Sequence, residues 1–173
     1  MRNLLKIQLK RSELLYDVQV KTYLVAQGAT SDNAETRSAI QVDDSATSND
    51  QILRSLHNAY NALCNSIPEY LKLGEGTTGD CCIVVDGGAC SGSCESNEDY
   101  IFALHMPENF NQSMLATAAS AAHTFMVHSA VAEWFLLTRK QEADVHASIA
   151  NGAFKEFRVS LDERNRPTPR VIR

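Results

Sequence analysis

The sequence predicts a mainly α fold: a helical bundle with one long central helix, a small antiparallel β-sheet or hairpin, and an extended C-terminal arm. Three observations carry this expectation. An alanine-rich apolar stretch from Asn111 to Thr138 is several times longer than a strand. Apolar residues between Ile52 and Ile67 recur at steps of three and four. Strand character is confined to the short segments 4–10, 82–86 and 99–106. With 173 residues, 44% of them hydrophobic, the chain has apolar material for one core. Residues 1–163 therefore read as a single helical domain with a Gly/Cys-rich loop insertion at 74–98, and residues 164–173 as an extended basic arm.

Taken in order, Leu5, Ile7 and Leu9 alternate with Lys6, Gln8 and Lys10, the period of a strand with one buried face. Ser12 then precedes Leu14, Leu15, Val18 and Leu24, with Gly28 at a common helix stop, so residues 13–27 read as a helix. The Val and Thr content of that segment leaves a strand open as an alternative. Residues 29–50 are rich in Ser, Thr, Asp and Asn and read as a surface connection with one short helical turn at 34–41.

Ser48 and Gln51 have capping-box spacing and place a helix start there. Ile52, Leu53, Leu56, Ala59, Tyr60, Leu63 and Ile67 form its apolar stripe, and Pro68 lies near its end. Six of the eight glycines and four of the five cysteines fall between Gly74 and Cys94, a protruding loop with one strand, 82–86, inside it. That strand is expected to form a long-looped hairpin with 99–106. Pro107 ends the latter before the long helix begins.

Over 111–138 a helix would be ~40 Å long, and its small residues, Ala116 to Ala122, would let neighbours approach from several sides. After a polar break at 139–142, Val145, Ile149, Phe154 and Phe157 mark a last helix over 142–160. The tail 164–173 holds two prolines and four arginines and has no core residues of its own.

Charge and cysteine content narrow the function. A net charge of -5 argues against nucleic-acid binding by the whole surface. No apolar run reaches the ~18 to 20 residues of a membrane span, and the first residues lack a signal-peptide core, so a soluble protein made in the cytoplasm is expected. Five cysteines, an odd number, argue against a disulfide-built scaffold. The charge is uneven. Residues 51–100 hold two basic and seven acidic side chains, and residues 151–173 hold six basic and three acidic.

Several motifs fail on context. Gly74 to Gly79 spells GxGxxG, but a helix precedes it and a strand follows, the reverse of a dinucleotide fingerprint. Cys81, Cys82, Cys90 and Cys94 could offer four thiolates to a metal, yet lack the CxxC knuckle; a disulfide within the hairpin loop is a second reading, and reduced bystander thiols are the simplest. His123 and His128 are ~140° apart on one helix and do not share a face, so helix-surface or core histidines are expected. His105 is out of phase with Phe102 and Leu104 and should face solvent or a partner. With no nucleophile motif, no catalytic residue or cofactor is assigned. The arm offers Arg164, Arg166, Pro167, Pro169, Arg170 and Arg173, stiffened and cationic, suited to lying along the acidic surface of another chain such as the 75–99 segment of a neighbour.

Taken together, Leu14 to Val18 (LLYDV), the capped helix from Asp50 to Tyr70, the junction Met106-Pro107-Glu108-Asn109-Phe110, the long helix ending AVAEWFLLT (Ala130 to Thr138) and the following helix with its loose tail cover most of the chain. In outline the chain resembles the head-to-tail connector, or portal-adaptor ring, proteins of tailed bacteriophages, of the type found in crAss-like phage of Bacteroidetes hosts. The 74–98 insertion departs from that pattern. The resemblance implies a structural virion protein in a homo-oligomeric, twelve-copy ring. Its partners would be the portal protein on one side and tail or other connector proteins on the other. Genomic DNA would pass through the channel without specific binding, and no catalytic residues carry over. The alternative is a cytoplasmic metal- or redox-responsive binding module built on the Cys81–Cys94 loop.

Overall fold

The computed structural model describes residues 3–28, 40–42, 45–71, 99–136 and 138–164. Strand β1 (Asn3–Leu9) leads into helix α1 (Arg11–Gly28), followed by α2 (Ala46–Ser66), strand β2 (Tyr100–Met106), α3 (Met114–Phe135) and α4 (Lys140–Asp162). The fold is mainly helical, with a small two-stranded antiparallel sheet.

The two strands pair in a register that runs from Asn3↔Met106 to Leu9↔Tyr100. That alignment sets Leu5, Ile7 and Leu9 opposite Leu104, Phe102 and Tyr100, so one face of the ribbon is apolar and turned inward while Lys6 and Gln8 lie on the other. Among the described residues β2 thus takes its partner from the start of the chain. The expected partner segment 82–86 lies outside them. The other edge of β2 meets Leu71 at Leu104, and His105 N–H donates to the Tyr70 carbonyl at 2.6 Å.

Helix α1 buries Leu14, Val18, Thr22 and Ala26, a stripe repeating every four residues. This settles the segment as a helix over the strand alternative. Thr22 belongs in that stripe because its hydroxyl is satisfied twice, donating to the Gln19 carbonyl (3.0 Å) and accepting from Val42 N–H (3.3 Å). The second bond fixes residues 40–42 against α1, and Trp134 Nε1 holds the same strap by donating to the Ile40 carbonyl (2.8 Å).

Helix α2 starts one turn earlier than its capping-box residues suggest. Ser45 is the N-cap, with extended backbone angles, and its Oγ accepts from Ser48 N–H at 3.3 Å. Ser48 is therefore the third residue of the helix, after Ala46 and Thr47. The buried stripe Ile52, Leu56, Ala59, Tyr60, Leu63 and Ile67 is as expected, and Pro68 follows the last turn.

Helix α3 spans 22 residues, about 33 Å. It begins after Asn111, whose side-chain oxygen accepts from Ser113 N–H and Oγ (3.2 and 2.7 Å). Its buried residues lie on several sides, including Ala118, Ala121, Ala122, Phe125, Met126, Val127, Ala130 and Val131, so it is the central helix. A four-residue connection returns the chain as α4, antiparallel to α3. Ala143, Ala150 and Ala153 are buried on α4, as Ala118, Ala121, Ala122 and Ala130 are on α3, and small side chains on both packed helices allow the axes to approach closely. Aromatic rings bind the layers together: Tyr60 packs on Tyr100 and Phe102 (5.2 and 4.8 Å), Phe102 on Phe157 (5.9 Å), and Phe125 on Phe154 (5.3 Å).

Candidate functional site

Two helices carry more apolar surface than the core uses. Opposite the buried stripe of α1, Tyr16 (65% exposed), Tyr23 and Leu24 (58%) share an outer face at helical spacing. On α4, Val145 (54% exposed), Ile149 and Val159 (60%) form a second outer face, interrupted by Gly152 and Glu156. Each helix packs on α3 with its other side, so both outer faces are turned away from the core.

Arg164, expected from the sequence to open the arm, is engaged by its own chain. Its guanidinium donates to the Leu161 carbonyl (2.7 Å), the Glu163 carbonyl (3.2 Å) and the Tyr70 hydroxyl (2.9 Å), and its carbon lies 5.8 Å from the centre of the Tyr70 ring. Tyr70 in turn donates to Asp162 Oδ1 at 2.6 Å. Burial, followed by that carboxylate, raises the Tyr70 hydroxyl above its ordinary range, with Arg164 pulling the other way. The hydroxyl thus stays protonated and works as a bridge between carboxylate and guanidinium. Arg166, Pro167, Pro169, Arg170 and Arg173 lie outside the described residues, as do Cys81, Cys82, Cys90, Cys94 and the Gly74–Gly79 motif.

Among the described residues, polar groups also line open grooves at the surface. One, about 570 Å³, is lined by Arg11, Asp50, Arg54, His57, Asn58 and Tyr100, where the start of β2 meets α2. A second, about 480 Å³, is lined by Ser12, Glu13, Tyr16, Asp17 and His123, with His123 Nε2 3.5 Å from Asp17. The first mixes charges of either sign through Arg11, Arg54 and Asp50, and the second is acidic through Glu13 and Asp17. Among the described residues no group of three or more His, Cys, Asp or Glu side chains is gathered for a metal, and no helix is long and apolar enough to cross a membrane. Cys64 is buried within the α2 stripe.

One feature escaped sequence reading altogether. His128 of α3 and His146 of α4 face each other with Nδ1 atoms 2.8 Å apart, and the Phe135 ring lies 5.9 Å from that of His146. Burial, then the Lys21 ammonium, then His146 hold His128 down at about 4. His146 is lowered by burial and Lys21, with Glu142 opposing. Both rings are neutral at pH 7. The outer face of α1 was signalled by Tyr16, Val20, Tyr23 and Leu24 at helical spacing, but the residues of its inner face obscured the pattern.

Compared with known proteins, the chain matches no family model, no curated protein and no solved structure.

Proposed function

We propose that the chain is a structural subunit whose work is assembly with copies of itself, forming a ring at the head-to-tail junction of a phage particle as its resemblance to connector proteins implies. The observation supporting this reading is the pair of outer apolar faces on α1 and α4. Folding a helix onto a core requires one apolar stripe, and the second lies exposed, away from the core formed by the described residues. The two faces differ in sequence and sit on different helices, which favours a head-to-tail contact in which α1 of one copy meets α4 of the next. Contacts of that kind close into rings when the rotation per subunit divides a full turn. The arm beyond Arg164 would add a cationic strap to an acidic surface of an adjacent chain. A net negative subunit suits a channel through which DNA passes without sticking.

Sedimentation velocity of the full chain tests the reading. The wild type should sediment as a species many times the subunit mass, alone or when mixed with its portal, and Tyr16→Lys with Leu24→Lys should return it to monomer with unchanged helix content. A wild-type chain that stays monomeric at high concentration and in the presence of the portal would sink the proposal.

A further inference from the structure

We propose that the His128–His146 pair is an acid-sensitive clasp: a second proton on the pair drives the rings apart and loosens the α3–α4 hairpin. The ring centroids are 4.9 Å apart and the Nδ1 atoms 2.8 Å. The centroid separation is close to the N···N distance plus the two ring radii, so the nitrogens meet head-on. Such a bond holds one proton. One ring donates Nδ1–H, and the other carries its proton on Nε2 and offers the Nδ1 lone pair. A first added proton can go to the free Nε2 of the donor ring and leave the bond intact. A second has only the accepting Nδ1 left, and two N–H groups would then point at each other across a hydrogen-bond distance.

The surroundings strengthen the effect. Lys21 reaches the pair from α1 and disfavours positive charge on both rings. Phe135 adds an apolar wall beside His146. Glu142, one turn before His146 on α4, acts on His146 and offsets only part of its lowering. Asp17, one turn before Lys21 on α1, stands beside His123 instead. The same geometry disfavours a metal site, since two lone pairs aimed at each other do not converge on a third point and an ammonium group stands close by.

The direction of the pH dependence follows from linkage. In the unfolded chain both imidazoles take up protons near pH 6.5, whereas in the fold His128 resists until about pH 4. Stability is therefore full above pH 6.5 and declines as the pH falls through that window. Below it the pair protonates in place and the hairpin opens.

Urea denaturation of the full chain followed by Trp134, its one tryptophan, tests this at pH 7 and pH 4.5. His128→Gln keeps a hydrogen-bonding side chain but removes one titrating ring. Between the two pH values the wild-type folding constant should fall at least about tenfold more than that of the variant, the equivalent of one unit of displaced pKa. Parallel losses in both proteins would overturn the clasp. Should the variant not fold, the Cε1–H resonances of His128 and His146, assigned through the wild-type backbone, decide the matter. Midpoints well below 6.5 support the clasp, and midpoints at 6.5 reject it.

Discussion

Tyr60 shows how a single side chain can hold two layers together. Its ring lies between Tyr100 and Phe102, and its hydroxyl donates to the Ile101 carbonyl at 2.6 Å. Tyr60→Phe keeps the ring packing and removes the donor to a partly buried carbonyl, so it should cost about 1–3 kcal/mol, read as a lower urea midpoint at unchanged slope. The sequence marked Tyr60 as a stripe residue of its helix, because local spacing decides that. It could not say where the hydroxyl goes, because the acceptor is 41 residues away and is brought there by the sheet. The same holds for the two histidines: each could be assigned to its helix, but their meeting depends on the register of α3 against α4.

At the scale of elements, α2 separates two serines that sequence spacing confuses. Ser45→Ala removes the oxygen that accepts Ser48 N–H and should cost about 1 kcal/mol. Ser48→Ala leaves that backbone donor and its acceptor in place and should cost only a few tenths, within the range of ordinary surface changes. Paired thermal melts would check the order, and equal losses would move the cap back to Ser48. Helix α2 was legible because it has one dominant apolar face, whereas the residues that marked α4, Val145, Ile149, Phe154 and Phe157, come from its outer and inner sides together. The identity of α1 was blurred for a physical reason: with Leu14 and Val18 inside and Tyr16 and Leu24 outside, apolar residues surround much of the cylinder and the period fades. The pairing of β1 with β2 was not legible, since a strand's neighbour is chosen by face matching across the whole chain.

For the whole molecule, the arm and the body meet at a definable residue. Because Arg164 is bonded to Tyr70 and to the last turn of α4, the domain extends through it, and the arm expected from the sequence can start no earlier than residue 165. Removing 165–173 should leave the melting temperature unchanged and weaken assembly, whereas removing Arg164 as well should also lower the melting temperature by freeing Tyr70. Calorimetry and sedimentation of the two truncations distinguish the cases, and identical melting temperatures would show the Arg164 contacts to be idle. The fold class and the single core were readable from composition and period. The surfaces available for assembly were not, because an outward apolar face on a helix looks like a core face until the core is in place.

The β1–β2 ribbon also bears on how the protein is made. Its two halves are separated by about ninety residues of translation, on the order of ten seconds at cellular rates. During that interval Leu5, Ile7 and Leu9 have no mate, and α1 and α2 must wait at the ribosome with their inner stripes unsealed. A nascent chain of this kind is a natural client for a chaperone that covers short apolar strands, and it should become protease-resistant only after β2 and the helices behind it have left the exit tunnel.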